Sequence, residues 1–475
     1  MSKRALIVSI SVAMAWLLGA CSVHRVDKQS AVPSFEIQPG FVENETEQRE
    51  GSEWGRSWWE TFEDPILTAF VEDGLESNFE LKGIALRITQ ANERLRQAGA
   101  PLYPSLELEA GYGVEWDGDR DAVSNRDREN SKDVGVLLQW EVDLLGRLSS
   151  ARKASGFERA ATVQDWLDAR LLFSSTLVEI YFEMKEQRRQ LEVLEAQIEI
   201  NESLLKLTTL RYGQGQSSIV DVLQQREQLD ATKARVPESE ARIGQLQYEF
   251  DALLGIIPGS GSPILDSSLA DLPPLPEVGV PIRLLQQRPD LRAAHDRILA
   301  LDYRVGVAVA EQFPTLRIGG GINWSGDPSF GDSVSSLFAG LVTPLFSGGE
   351  LRSEVRLRRA NLEEALAYYS DGFLTALAEV ESALLLERKL SERLVLVERQ
   401  LVTARRLLSE ARSRFSQGIT DYLPVFTSLT IVQNLERDIV SARRNVLSSR
   451  VGLHRALGGP ILNPDSYAQR IQTNE

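Results

Sequence analysis

Residues 211–215, with the sequence RYGQG, recur 203 positions later as RFSQG at residues 414–418. Two further landmarks are also repeated: YPSL at 103–106 returns as FPTL at 313–316, and LG at 254–255 returns at 457–458. Self-similarity at nearly the same long offset indicates that one structural unit occurs more than once. The sequence therefore predicts a tandem duplication.

The segment before each RYGQG-like stretch has the spacing of a helical seam. Positions spaced alternately by three and four read Leu, Leu, Ile, Asn, Leu, Thr and Tyr at 191, 194, 198, 201, 205, 208 and 212. The same positions 203 residues later read Leu, Val, Leu, Ala, Leu, Ala and Phe. This alternation is the heptad pattern of a coiled coil. Both halves should therefore contain packed helical hairpins in one register.

These helices should be unusually long. No proline lies between Pro104 and Pro237, or between Pro344 and Pro424. A helix from Gly146 to Arg211 would hold roughly 66 residues and extend about 100 Å, and Gly349 to Arg414 gives the same. Each should turn at a glycine and return, over 217–254 and 419–457. Pro237 predicts a break within the first return helix.

Each half also contains two segments in which apolar and polar residues alternate. They lie at about 105–114 and 133–142 in the first half, and at about 315–325 and 336–346 in the second. Strands of about 9–11 residues with one apolar face suit a transmembrane β-barrel. A soluble hairpin with one buried face has the same pattern, so periodicity alone leaves that alternative open.

Four strands cannot close a barrel, and an open sheet edge cannot face lipid. The chain should therefore oligomerise, and three chains would supply twelve strands around a channel. We expect an α+β membrane protein with tandem-duplicated long helical hairpins, forming an α-barrel, and four strands per chain, forming a 12-strand β-barrel as a homotrimer. Residues expected to face the wet lumen are Glu107, Gly111, Gln139, Gly319 and Gly321.

The N-terminus has the pattern of a secretory signal. Lys3 and Arg4 precede a mostly apolar run that ends in Leu18-Gly19-Ala20-Cys21. A basic start, a short apolar stretch and small residues before the cut define a signal peptide. The tetrapeptide resembles a bacterial lipobox, which predicts that Cys21 becomes the acylated first residue of the mature chain. The residue after the cysteine is Ser22 and not Asp, which resembles the pattern that directs a lipoprotein to the outer membrane.

The landmarks divide the chain into consecutive segments. We expect a signal peptide (1–20), a lipidated N-terminal segment (21–63), a first repeat (64–255, with its hairpin at about 146–254), a connector (256–288), a second repeat (289–458, with its hairpin at about 349–457) and a C-terminal tail (459–475).

Composition excludes several classes of function. The net charge is −16, so the surface repels phosphate backbones and nucleic-acid binding is disfavoured. A single cysteine excludes an internal disulfide framework and a cysteine-rich metal site. His24, His295 and His454 lie far apart, and Gly319-Gly320-Gly321 is not followed by the Lys-Ser/Thr of a phosphate loop. We expect no catalytic constellation, metal or cofactor.

Two further motifs accompany the repeats. They are Trp58-Trp59-x-x-Phe62-x-Asp64-Pro65-x-Leu67 and Gln287-Arg288-Pro289-Asp290-Leu291. Together with the Phe313-Pro314 strand entry and the two glycine turns, they resemble the TolC/OprM type of outer-membrane efflux factor, in the lipoprotein subgroup also called NodT-like. The resemblance extends from Cys21 to about Gly458.

The resemblance implies a function and a set of partners. Such a chain would be the outer-membrane channel of a tripartite efflux system and would export small molecules as a homotrimer. It would dock to a periplasmic adaptor connected to an inner-membrane pump of the resistance-nodulation-division type. It would be lipid-anchored in the outer membrane of a Gram-negative bacterium, extend into the periplasm and have no enzymatic activity.

The resemblance also implies where the channel closes. In the family the turns at Gly215 and Gly418 lie at the periplasmic tip, and Asp221 matches an acidic gate position by its spacing from the turn. In the second half that slot is Pro424, and Thr427 replaces the next acidic position of some members. Asp421 is the nearest substitute.

Arg211 and Arg414 complete the set of gate candidates, because they can pair with these aspartates or cap helix C-termini. Solvated turn charges are the alternative for the two aspartates.

Two other functions remain open from the sequence. One is an outer-membrane conduit for type I protein secretion. The other is a lipid-anchored periplasmic coiled-coil scaffold without a pore.

Overall fold

A computed structural model of the chain describes residues 24–26, 40–42, 57–116, 128–261, 263–264, 266–276, 278–326 and 332–459. The expected signal peptide, the lipobox cysteine Cys21 and almost all of the expected C-terminal tail lie outside the described residues.

The described chain contains eight α-helices and four β-strands. In order they are α1 (Pro65–Ser77), α2 (Phe79–Gly99), β1 (Ser105–Trp116), β2 (Arg128–Val142), α3 (Arg147–Gly213), α4 (Ile219–Leu253), α5 (Leu284–Gln287), α6 (Pro289–Ala310), β3 (Thr315–Gly326), β4 (Asp332–Val342), α7 (Glu350–Ser416) and α8 (Leu423–Ala456).

The element order repeats, and this confirms the predicted fold of long helical hairpins with four strands per chain. Helices α3 and α7 have 67 residues each. Each follows a strand pair and precedes a return helix of 35 or 34 residues. Within the described part of the chain, none of the helices combines the length and the apolar composition needed to span a membrane.

Two of the differences from the expectations have a clear physical reason. Helix α4 continues through Pro237, where a break was expected. The residues on both sides of the proline are held, because Thr232 bonds Asn201 of α3 and Arg242 bonds Glu183. Strand β4 ends at Val342 and does not reach Phe346, since Pro344 has no N–H to continue the ladder.

The four strands form one antiparallel sheet in the order β1-β2-β3-β4. Residues paired across strands point to the same face, so the register defines two faces. One face is apolar and collects the rows Leu106–Leu138–Gly320–Leu337 and Leu108–Val136–Ile322–Ser335. The other is mostly polar or glycine, with the rows Ser105–Gln139–Gly319–Phe338 and Glu107–Leu137–Gly321–Ser336. Glycine and polar residues expected to share a face therefore do so.

The chain divides into two compact units, and each draws segments from both halves. Among the described residues, unit 1 takes those within 1–34, 86–164 and 292–371, and unit 2 takes those within 35–85, 165–291 and 372–475. In unit 1, the first part of α3 contacts the two other helices that adjoin the sheet. Phe157 of α3 stacks on Tyr303 of α6, and Arg159 of α3 donates a hydrogen bond to Asn92 of α2.

Unit 2 is built on a large aromatic core that explains the Trp-Trp motif. Trp58, Trp59 and Phe62 are buried, and Phe62 packs edge-on against Phe182 at 5.1 Å between ring centres. The indole of Trp58 stacks on His454. Burial lowers the pKa of His454 to about 4, and the charge of Arg450 adds to this shift. The motif therefore belongs to the core of the unit.

Asp64 has two structural tasks in the same unit. Its Oδ1 accepts hydrogen bonds from the backbone N–H groups of Ile66 and Leu67, which caps α1. Its Oδ2 accepts bonds from the Tyr181 hydroxyl at 2.7 Å and the Lys185 ammonium at 2.9 Å. Burial acts to raise the pKa of Asp64, but these bonds outweigh it and lower that pKa.

Candidate functional site

The two glycine turns have the same backbone geometry. Gly215 and Gly418 both have φ of +72°, in the left-handed region that favours glycine. In each turn the residue after the glycine donates a backbone hydrogen bond to the carbonyl of the repeated arginine, from Gln216 to Arg211 and from Ile419 to Arg414. This is the Schellman arrangement that ends a helix. The repeated glycines are thus required by the turn itself.

Arg211 links the first turn to the second. Its guanidinium lies 4.2 Å from the ring centre of Phe415 and donates a 3.2 Å hydrogen bond to the Phe415 carbonyl. Phe415 belongs to the last turn of α7, where unpaired carbonyls favour a cation. Arg211 therefore caps the partner helix and fixes an aromatic side chain.

Arg414, the repeat equivalent of Arg211, makes a local contact instead. It pairs with Glu410 one turn earlier on the same helix at 2.8 Å, and both side chains are largely exposed. Such i,i+4 pairs contribute only a few tenths of a kcal/mol. The two arginines thus occupy equivalent positions but have different partners.

The two candidate aspartates also differ. Asp221 belongs to a capping box at the start of α4, where its carboxylate accepts bonds from the Ser218 backbone N–H at 3.0 Å and the Ser217 hydroxyl at 2.6 Å. Asp421 is exposed between α7 and α8. The carboxylate of Asp221 therefore already has a helix-capping role within this chain.

A buried amide network lies close to these turns, and sequence reasoning missed it. The Asn201 side chain accepts from Gln433 at 3.0 Å and donates to Thr232 at 3.0 Å. Gln225 donates to the Asn201 carbonyl at 3.1 Å and accepts from the Tyr422 hydroxyl at 2.6 Å. The available signal was the presence of Asn201 and Thr208 at seam positions that are otherwise mostly apolar. The network joins α3, α4 and the start of α8.

The described residues form no metal centre. No group of three or more His, Cys, Asp or Glu side chains among them is arranged to hold a metal ion. His24 bonds Asp302, His295 lies 6.3 Å from the ring of Tyr369, and His454 stacks on Trp58. Each histidine thus has a different environment.

The sequence model of a family described as "Outer membrane efflux protein" matches residues 71–255 and 280–459. The two matched stretches correspond to the two halves of the duplication.

Curated relatives carry efflux and export names. The chain is 29% identical over 413 residues to the "Pyoverdine export outer membrane protein OpmQ" of Pseudomonas putida, which covers 85% of this chain and 87% of the relative. It is 25% identical over 469 residues to the "Toluene efflux pump outer membrane protein TtgF" of Pseudomonas putida, covering 95% and 96%.

Solved structures share the fold. A solved structure described as "Structural insights of the outer-membrane channel OprN" superposes on the chain with a TM-score of 0.83 at 26% identity. The match covers 92% of this chain and 99% of the other. A solved structure of CusC superposes with a TM-score of 0.81 at 19% identity. With the duplicated hairpins, the four-stranded sheet and the family match, the chain belongs to the outer membrane efflux protein family.

Proposed function

We propose that the chain forms a homotrimeric outer-membrane conduit that exports small molecules within a tripartite efflux system. One observation carries this proposal: the sheet exposes an apolar face and has two free edges. Within the described residues, the order β1-β2-β3-β4 gives β1 and β4 one neighbouring strand each. Unpaired edges cannot face lipid, so pairing of β4 with β1 of the next copy is the simplest closure.

The exposed side chains have the chemistry of a lipid-facing wall. Leu106, Leu108 and Leu341 are largely exposed, and Leu337 is 91% exposed. All four share the apolar face defined by the register. An apolar band of this kind needs a cover, which the hydrocarbon of a membrane supplies. The opposite face, with Glu107, Glu109 and several glycines, then lines the lumen.

Residues after β4 support association between copies. Leu345 and Phe346 are 93% and 92% exposed and lie three and four residues after the end of β4. Exposed apolar residues beside an unpaired strand favour contact with another chain. Three chains supply twelve strands, enough to leave a channel, whereas eight strands would be filled by side chains.

The helical hairpins supply a surface for a periplasmic adaptor. A groove of about 1030 Å³ lies between the turn ends of α3 and α7 and is lined by apolar and polar side chains, among them Leu204, Leu207 and Arg412. An amphipathic helix of an adaptor suits such a groove. We propose that the adaptor connects the conduit to an inner-membrane pump of the resistance-nodulation-division type. The export and efflux names of the relatives support a transport role, and we propose that the chain has no enzymatic activity.

We propose that Cys21 is acylated and that the mature chain, beginning at Cys21, is held in the outer membrane by its lipid as well as by its barrel. One acyl chain gives only marginal binding, so several are needed. We also propose that the mature chain is divided into two repeats joined by a connector. Their bounds are 64–255 and 289–458 for the repeats and 256–288 for the connector.

We propose that four charged residues surround the closed end of the conduit, next to the turns at Gly215 and Gly418. They are Asp221, Asp421, Arg211 and Arg414. In a trimer each would occur three times around one axis. Bonds between helices, with donors such as Arg211 or Arg414, would hold this end shut, while repulsion between the aspartates opposes closure and is screened within about 8 Å at physiological salt.

Crosslinking in native outer membranes and conductance in planar bilayers test the conduit. We expect crosslinking to stop at three chains and the purified protein to form channels. A monomer without channels would contradict the proposal and favour a scaffold. Channels together with a secretion defect for one protein in a deletion strain, and unchanged sensitivity to small toxic compounds, would favour type I secretion.

The closed end is tested separately with Asp221→Ala combined with Asp421→Ala. We expect higher single-channel conductance and entry of large antibiotics, because lost bonds outweigh relieved repulsion. Unchanged conductance in a trimer of normal abundance would place the constriction elsewhere.

A further inference from the structure

The short described segment at 24–26 is held by a histidine. The Nε2 atom of His24 lies 2.5 Å from Oδ1 of Asp302, which is a buried residue of α6. The His24 side chain itself is 24% exposed. A hydrogen bond to a carboxylate is stronger than one between neutral groups. A residue close to the start of the proposed mature chain is thus tied to a helix 278 positions away.

Gly306 provides the space that His24 occupies. Asp302 and Gly306 are one turn apart on α6 and therefore share a face. A Cβ atom at position 306 would lie 3.4 Å from Cδ2 and 3.5 Å from Cβ of His24, and 3.7 Å from the hydroxyl oxygen of Ser150 in the first turns of α3. A larger side chain at 306 would displace His24. We call Asp302, Gly306 and Ser150 the His24 seat.

The His24 seat lies close to one end of the sheet. Helix α6 ends at Ala310 and β3 begins at Thr315, while α3 begins at Arg147 after β2 ends at Val142. In the register, the end of β2 and the start of β3 lie at the same end of the sheet, opposite the two hairpin loops. The seat therefore lies near the end of the sheet to which the helices are connected.

We propose that His24 holds the acylated N-terminus at the helix end of the sheet. This rests on the proposed acylation of Cys21. Cys21 lies three positions before His24, so a fully extended chain lets Cys21 reach at most about 11 Å from the seat. The acyl chains and the apolar face of the sheet then enter the same leaflet, and holding the two attachments together raises the effective concentration of the second once the first is inserted. His24 is a positioning residue in this arrangement.

Trypsin protection of the full-length protein in detergent tests the seat. Arg25 is exposed and directly follows His24, so trypsin can cut there only as fast as the segment leaves the seat. The readout is the rate at which the peptide Cys21–Arg25 appears in the mass spectrum. His24→Leu removes the donor at similar size, and Gly306→Leu fills the seat while keeping the donor. We expect both to accelerate cleavage at least five-fold.

Two matched variants control the experiment. His24→Gln keeps a donor and should restore most of the protection. Gly83→Leu changes an exposed helical glycine whose added Cβ would have no atom within 4 Å, and it should cleave like the wild type. Wild-type rates in His24→Leu, or equal acceleration in His24→Gln and His24→Leu, would overturn the seat.

The mass of the released peptide separates the two proposals. An unmodified peptide from the wild-type protein would contradict acylation of Cys21, and with it the proposal that the seat positions a lipid. The His24 variants decide the seat even if Gly306→Leu fails to fold, because residue 24 lies outside the helices and strands.

Discussion

The two long hairpins share length, register and turn geometry, yet their buried seams differ in chemistry. The second hairpin has an apolar cluster at its turn end, with Leu401, Ala404, Leu408, Ala411 and Phe415 on α7 packed against α8. At the positions 203 residues earlier, Asn201 replaces Ala404 and Thr208 replaces Ala411, and both are fully buried.

The polar seam of the first hairpin depends on the second hairpin. Gln433 of α8 donates to Asn201 and accepts from Gln228 of α4. Gln197 of α3 donates to the Gln433 carbonyl at 3.0 Å. Apolar packing tolerates small shifts, whereas buried amides are satisfied in one alignment only. The difference indicates that the second hairpin is held by its own core, while the first is held in register against it.

Among the variants that test this difference, a replacement of Asn201 should lower the free energy of unfolding most. Asn201→Leu keeps the approximate size but leaves the buried N–H of Gln433 without its acceptor and removes the bond donated to the Thr232 hydroxyl, which keeps its own bond to the Gln228 carbonyl. Each unsatisfied group costs about 1–3 kcal/mol, so the free energy of unfolding should fall by about 3 kcal/mol. Thermal unfolding followed by circular dichroism measures it. A fall below about 1 kcal/mol would show that water or repacking satisfies the network.

The apolar seam should respond to a cavity. Leu408→Ala removes a buried side chain and should lower the free energy of unfolding by about 2–3 kcal/mol. Its neighbour Leu407 is 55% exposed, so Leu407→Ala is the matched control and should change it by less than about 0.5 kcal/mol. Equal losses in the two variants would mean that the assignment of the seam is wrong.

Replacements of the two repeated arginines should differ by a smaller amount in the free energy of unfolding. Arg211→Ala removes the contact with the Phe415 ring and the bond to its carbonyl, at a cost of about 1 kcal/mol. Arg414→Ala removes only the exposed pair with Glu410 and should cost about 0.3–0.5 kcal/mol. Hydrogen exchange of the amides at 415–419 should accelerate more in the first variant. The reverse order would contradict a cap between the two turns.

Replacements of the two aspartates should show the smallest difference in the free energy of unfolding. Asp221→Ala weakens the capping box and should cost about 0.5 kcal/mol, with faster exchange in the first turn of α4. Asp421→Ala changes an exposed turn charge and should leave exchange in α8 unchanged. Loss of protection in α8 would show that Asp421 has a structural role as well.

The sequence by itself determined the duplication, the long helices, the alternating strands and the positions of the turns. These features follow from local periodicity and from the conformational preference of Gly215 and Gly418, which do not depend on distant residues. Pro237 shows the limit of local reasoning, because contacts of α4 with α3 maintain the helix at a residue that disfavours it.

Only the tertiary structure decided which side chains meet. The sequence placed Arg211 and Asp221 among the candidate residues, but Arg211 contacts Phe415, which is 204 positions away. Asn201 was visible as a polar residue in a seam, yet its partner Gln433 is 232 positions distant. Such pairings depend on how whole helices are aligned, and this alignment minimises unsatisfied buried groups over the packed hairpins rather than along any one segment.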